Sequence, residues 1–142
     1  MTTFDLSSTT LREVNAALHA ADSGSFTITN PRGAHALAAG IDAPVDVEID
    51  GPVGYYCAGM HKTGTVLVKG NASTGLAENI MSGTVRITGN AMMSAGATGC
   101  GGLLVISMLA PPASAYAWQL NSRIFFPKML AALVSASVAI HQ

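Results

Sequence analysis

The sequence predicts a mainly β fold: a short right-handed parallel β-helix of 19-residue coils, with a helix before it and an irregular or helical tail after it. Three observations carry that expectation. Apolar alternations recur at Val47-Glu48-Ile49-Asp50, Val66-Leu67-Val68-Lys69, Val85-Arg86-Ile87-Thr88 and Leu104-Val105-Ile106-Ser107, each copy 19 residues after the last. Two glycine columns keep the same step: Gly64, Gly83 and Gly102 before strands, and Gly51, Gly70 and Gly89 after them. The composition fits, because 49% apolar but only 6% aromatic residues, with 15 glycines, require a core of small and branched side chains in regular packing. A short strand with apolar residues on one face cannot bury that face alone, whereas copies stacked about 4.8 Å apart pair their backbones and build a continuous core.

Before the repeat, the chain to about Asp22 reads as a helix. Thr10 and Glu13 have capping-box spacing, and Leu11, Val14 and Leu18 fall on one apolar stripe. Asp22-Ser23-Gly24 is the stop, with Gly24 free to be left-handed. Ser23 to Thr29 matches Ser82 to Thr88 and reads as a slightly longer first coil. At the corners, Gly51, Gly70 and Gly89 are expected to need positive φ or close backbone approach, and Gly64, Gly83 and Gly102 to turn the chain into each strand. Asn71 and Asn90 follow corner glycines, where Asn tolerates the left-handed region and can stack into an amide ladder.

Residues 107–142 break these patterns. No glycine follows Gly102 and no acidic residue follows Glu78, while Pro111, Pro112 and Pro127 cluster there. Met108 stands where the repeat calls for glycine. This divides the chain into residues 1–106, helix plus β-helix, and 107–142, a divergent apolar tail. Such an abrupt change is what a reading-frame shift or truncation would leave, the alternative being a genuine tail whose helix lies on the solenoid's end. Met129 to Ile140 is too short to span a bilayer.

Several function classes are excluded on composition and spacing. A net charge of −1 without a block of like charges gives no basis for binding nucleic acid or an anionic membrane. The first residues have no signal-peptide pattern, so a reducing cytoplasm is the expectation. Steps of 19 rather than about 18 residues argue against the left-handed β-helix of acyltransferases, and the absence of Asp after Asp50 against a calcium β-roll. His61 lacks a Ser, Cys or carboxylate in matched phase to orient it and reads as a surface loop residue. His19, His35 and His141 have no metal-ligand spacing. Cys57 and Cys100 are out of phase and read as buried free thiols, too few for an iron–sulfur cluster. Gly96 to Gly102 resembles a phosphate loop but precedes a strand, not a helix. Asp46, Glu48 and Asp50 alternate with apolar residues and mark a solvated face.

Specific words in the sequence carry a family likeness: Asn30 to Ala38 (NPRGAHALA), Gly54 to Met60 (GYYCAGM), Ala77 to Val85 (AENIMSGTV) and Ala95 to Ile106 (AGATGCGGLLVI). From Phe4 to about Ile106 the chain resembles the GXGXG β-helix family, which includes the C-terminal domain of the glutamate synthase large subunit and the FwdC/FmdC-type component of formylmethanofuran dehydrogenase. The likeness is strongest to the small GXGXG subunit of N-methylglutamate-synthase-like complexes. It implies a non-catalytic structural subunit that holds a glutamine-amidotransferase-like subunit and an FMN-binding glutamate-synthase-like subunit in register. FMN and the iron–sulfur cluster are then expected on those partners, with no catalytic, cofactor or metal site on this chain. Tyr55 and Tyr56 are candidate interface residues, because Tyr offers rigid area with a polar tip. A standalone β-solenoid binding module is the alternative, and relatives of this type carry further coils after the equivalent of Ile106.

Overall fold

A computed structural model describes residues 1–109. Strands β1 (Thr2–Asp5), β2 (Gly24–Thr29), β3 (Val45–Asp50), β4 (Thr65–Val68), β5 (Thr84–Ala91) and β6 (Leu103–Leu109) form one parallel six-stranded sheet in chain order. They belong to a β-solenoid of about four turns, and the single helix among the described residues, α1 (Leu11–Ala20), lies between β1 and β2.

The register follows the repeat. Val47 stands on Val66, Val66 on Val85 and Val85 on Leu104, while Ile49, Val68, Ile87 and Ile106 form the neighbouring column. Phe26 stands on Val47 and Ile28 on Ile49, so the step from β2 to β3 is the longer first coil. Val47, Ile49, Val66, Val68, Val85 and Ile87 are buried. Each such side chain contributes roughly 1.5–3 kcal/mol by leaving water. Between them Asp46, Glu48 and Asp50 face outward, as alternation requires.

A second side of the solenoid begins after the corner, where Val53, Ala72 and Ala91 make parallel bridges and are buried. Gly70 and Gly89 sit at the corner itself without positive φ; what they need is room. A Cβ on Gly70 would lie 2.6 Å from the Gly51 carbonyl carbon, and one on Gly89 would collide with the Gly70 oxygen. Gly51, by contrast, has φ of +139°. Ahead of the strands, Gly64, Gly83 and Gly102 have φ of +79°, +78° and +83°. Asn71 and Asn90 are not left-handed, and they form no amide ladder. Instead the Asn90 backbone N–H donates to Asn71 Oδ1 at 2.9 Å, because the side chain reaches the next coil's backbone before its amide.

The N-terminal segment departs from the all-helical expectation. Residues Thr2–Asp5 add a strand to the sheet before the helix, with Phe4 stacked on Phe26 at 6.3 Å between ring centroids. At the end of β1, Asn30 and Ser7 donate to Asp5 Oδ1 and hold its carboxyl down at about 2. The helix then starts at a complete capping box. The Thr10 hydroxyl accepts from the Glu13 N–H at 3.3 Å, and the Glu13 carboxylate accepts from the Thr10 N–H at 2.8 Å. Val14 and Leu18 are buried against the first coil.

At the other end, β6 continues three residues past the 106/107 boundary. Its register slips by one between Ile87 and Asn90, so that Asn90 pairs with Met108. The strand runs on across the corner beside β5, which does the same through Gly89 to Ala91. The tail expectations for residues 110–142, including a helix over the solenoid's end, lie outside the described residues.

Candidate functional site

The third side of the coil is where this backbone is least ordinary. On alternate residues the chain turns left-handed: Ala36, Ala38 and Gly40; Tyr56, Ala58 and Met60; Gly75, Ala77 and Asn79; Ser94, Gly96 and Thr98. Each non-glycine in that conformation costs on the order of 1 kcal/mol or more, so something must hold it. Backbone bonds between coils do so with a fixed alternation. The outer two N–H groups of a set point to the following coil: Ala36 to Tyr55 O at 2.6 Å, Gly40 to Gly59 O at 2.7 Å, Tyr56 to Thr74 O at 3.0 Å and Met60 to Glu78 O at 2.8 Å. The central one points to the preceding coil: Ala58 to Leu37 O at 2.9 Å, Ala77 to Cys57 O at 2.8 Å and Gly96 to Leu76 O at 2.8 Å.

The first set has no preceding coil, and α1 takes its place. Asn15 Oδ1 accepts from the Ala38 N–H at 2.9 Å while its Nδ2 donates to Ala36 O at 2.8 Å. One side-chain amide thus substitutes for a peptide unit of the missing coil. His19 Nε2 bonds Ala39 O at 2.7 Å one helical turn later. The helix is an end cap, which answers the exposed-edge problem of a solenoid.

Tyr55 and Tyr56 point to different environments. Tyr55 is 55% exposed, and its ring stacks on His35 with centroids 4.5 Å apart and an interplanar angle of 7°. His35 Nδ1 also accepts from the Tyr55 N–H at 2.8 Å. Two coils later the same column carries exposed Met93, with exposed Met92 beside it. Tyr56 is half-buried. Its hydroxyl accepts from Asn79 Nδ2 at 3.0 Å, and Asn79 Oδ1 accepts from the Thr98 hydroxyl, a polar chain across three coils. The tyrosine ring lies over Gly59, where a Cβ would meet its Cδ1 at 2.5 Å.

His61 is not the surface residue that its sequence context suggests: it is fully buried. The inter-coil bonds Lys62 N–H to Ile41 O and Met81 N–H to His61 O place it in an inward column between Ile41 and Ile80, both buried. Its Nε2 lies 3.0 Å from Gly64 O, while Nδ1 is buried without a partner. Burial lowers its pKa below the ordinary value, opposed by the bond to Gly64. Of the two thiols only Cys57 is buried, which pushes it up to about 12; Cys100 is exposed, because it continues the outward column of Lys62 and Met81. A thiol protonated at neutral pH is a poor nucleophile.

The remaining polar groups make short local pairs. Lys62 bonds Asp42 at 3.2 Å and Lys69 bonds Glu48, both exposed and worth little. Among the described residues no three His, Cys, Asp or Glu side chains gather where they could hold a metal ion, and no helix is long and apolar enough to cross a membrane. Sequence reasoning misses the left-handed sets, Asn15 and the Tyr56–Asn79–Thr98 chain. The 19-residue spacing of 56, 75 and 94 is the available signal.

No family model matches the chain, and no solved structure does. Over 91 residues it is 56% identical to Protein GlxC of Rhizobium meliloti (strain 1021). That match covers 61% of this chain and 40% of the relative, so the chain spans well under half of the longer protein.

Proposed function

We propose that this chain is a non-catalytic β-solenoid subunit of a glutamate-synthase-like assembly, serving as the spacer that keeps catalytic subunits in register. The observation that carries the reading is the left-handed set repeated in each coil. A backbone left-handed at alternate residues is what a G-x-G-x-G sequence encodes most cheaply. Here it is reached with Ala-x-Ala-x-Gly at 36–40 and Ser-x-Gly-x-Thr at 94–98. That agrees with the GXGXG resemblance, and the 56% identity to Protein GlxC supports the same group of proteins.

In this reading the partners are a glutamine-amidotransferase-like subunit and an FMN-binding glutamate-synthase-like subunit in the cytoplasm. They carry the glutamine-hydrolysing site, the FMN and the iron–sulfur cluster. Tyr55, stacked on His35, is the interface anchor, because a rigid exposed aromatic loses little entropy when covered. Tyr56, tied to Asn79, supports the surface from below.

Affinity purification of the tagged native protein with mass spectrometry tests the proposal. Both partner classes should co-purify, and Tyr55→Ala should cut their recovery about tenfold or more, an anchor being worth about 2 kcal/mol, with melting unchanged. Recovery of the chain alone from native cells contradicts it.

A further inference from the structure

The burial of His61 has a chemical consequence that a scaffold role does not require. A carbonyl oxygen can only accept, so the contact with Gly64 O assigns the imidazole proton to Nε2 and leaves Nδ1 a bare acceptor. That acceptor is fully buried in a column whose other members, Ile41 and Ile80, are apolar. The ring is wedged as well: a Cβ on Gly83 of the next coil would stand 2.7 Å from His61 Nε2 and 2.8 Å from Gly64 O. The Gly64 oxygen is shared, since it also accepts from the Thr84 N–H at 3.0 Å, the first residue of β5.

The position within the solenoid matters too. From Ile41 to His61 the step is 20 residues, and from His61 to Ile80 it is 19. The corner from His61 to Gly64 is therefore the place where the longer first coil gives way to the regular repeat, and the imidazole closes it from inside.

We propose that His61 is an acid-sensitive latch of this corner, holding β4 and β5 in place while neutral and releasing them when protonated. A proton can enter only at Nδ1. There it creates a charge and an unpartnered N–H donor among aliphatic side chains, and both are costly. The groups that could offset the charge are elsewhere. Asp42 and Lys62, the residues flanking the Ile41–His61 column, are paired with each other on the outside at 3.2 Å. Cys57 is a buried, protonated thiol on the same coil. Among the described residues no carboxylate bonds or pairs with the ring. With the folded-state pKa lowered, the unfolded chain takes up the proton first. Stability is then intact above the unfolded value of about 6.5 and is lost as pH falls from there toward the folded value.

The test compares the full 142-residue chain with His61→Ile, which continues the isoleucine column. Melting followed from about pH 7.5 to about pH 5 should fall by several degrees more in wild type than in the variant, and near neutrality the variant should melt no lower. Equal pH dependence in the two proteins overturns the proposal. If the variant does not fold, wild-type NMR decides: His61 should stay in its neutral Nε2–H form until the Thr84 amide loses exchange protection. Free titration at its ordinary value with Thr84 still protected overturns it equally.

Discussion

Replacing Gly89 with valine should destabilise the fold by about 3 kcal/mol or more, and Gly70→Val should do nearly as much. The reason is not left-handed backbone at these two positions. A side chain there would occupy the space in which one coil's corner rests on the last: the Gly70 oxygen beneath Gly89, and the Gly51 carbonyl, at 2.6 and 2.7 Å, beneath Gly70. Those are backbone atoms in a stacked ladder and cannot move aside without breaking bonds such as Gly89 N–H to Gly70 O at 3.1 Å. Chemical denaturation of both variants measures the cost. Unchanged midpoints would show that the corners are not stacked this closely.

The second large effect is expected at the end cap. Asn15→Leu preserves size but strips the Ala38 N–H and Ala36 O of their partners at once, at about 2 kcal/mol for the half-buried site. Asn15→Asp retains the acceptor for Ala38 and loses the donor, so its cost should be smaller. Hydrogen exchange at the Ala38 amide distinguishes this from a general loss of helix packing: Asn15→Leu should expose that amide well before the central strands. Uniform loss of protection, or none, would remove the assignment of Asn15 as a stand-in for a coil.

What is legible in the sequence, and what is not, follows from where the information resides. The strand columns are readable because inward and outward side chains alternate in their chemistry, as Val47, Glu48 and Ile49 do. The helix is readable because Thr10 and Glu13 cap each other through side chains. β1 is hidden, since Thr2 to Asp5 is too short for periodicity and gains its identity only by pairing with β2. The left-handed sets are hidden for a different reason. Tyr56, Met60 and Thr98 have no local preference for that conformation, which comes from bonds to the neighbouring coils. His61 reads wrongly as a surface residue because a lone histidine in a glycine-rich stretch is usually at the surface. The column of Ile41 and Ile80 that buries it becomes visible only once the extra residue in the first coil is counted. Cys100 misleads in the opposite sense, an apolar residue type on an outward column.

These features give the molecule a polarity: α1 caps the first coil, and strand steps of 19 residues follow from Val47 to Ile106. Coils stacked and bonded in this way suit the proposed spacer, whose effect on chemistry is exerted through distance rather than contact with reacting atoms. In the proposed assembly, coupled, glutamine-dependent synthesis assayed with wild-type and Gly89→Val chains side by side separates a spacer from an enzyme. The spacer role predicts that the variant loses coupled synthesis while glutamine hydrolysis and bound FMN persist on the partner subunits. Full coupled activity at a temperature where the Gly89→Val chain has melted, or stoichiometric FMN on the isolated wild-type chain, would contradict it.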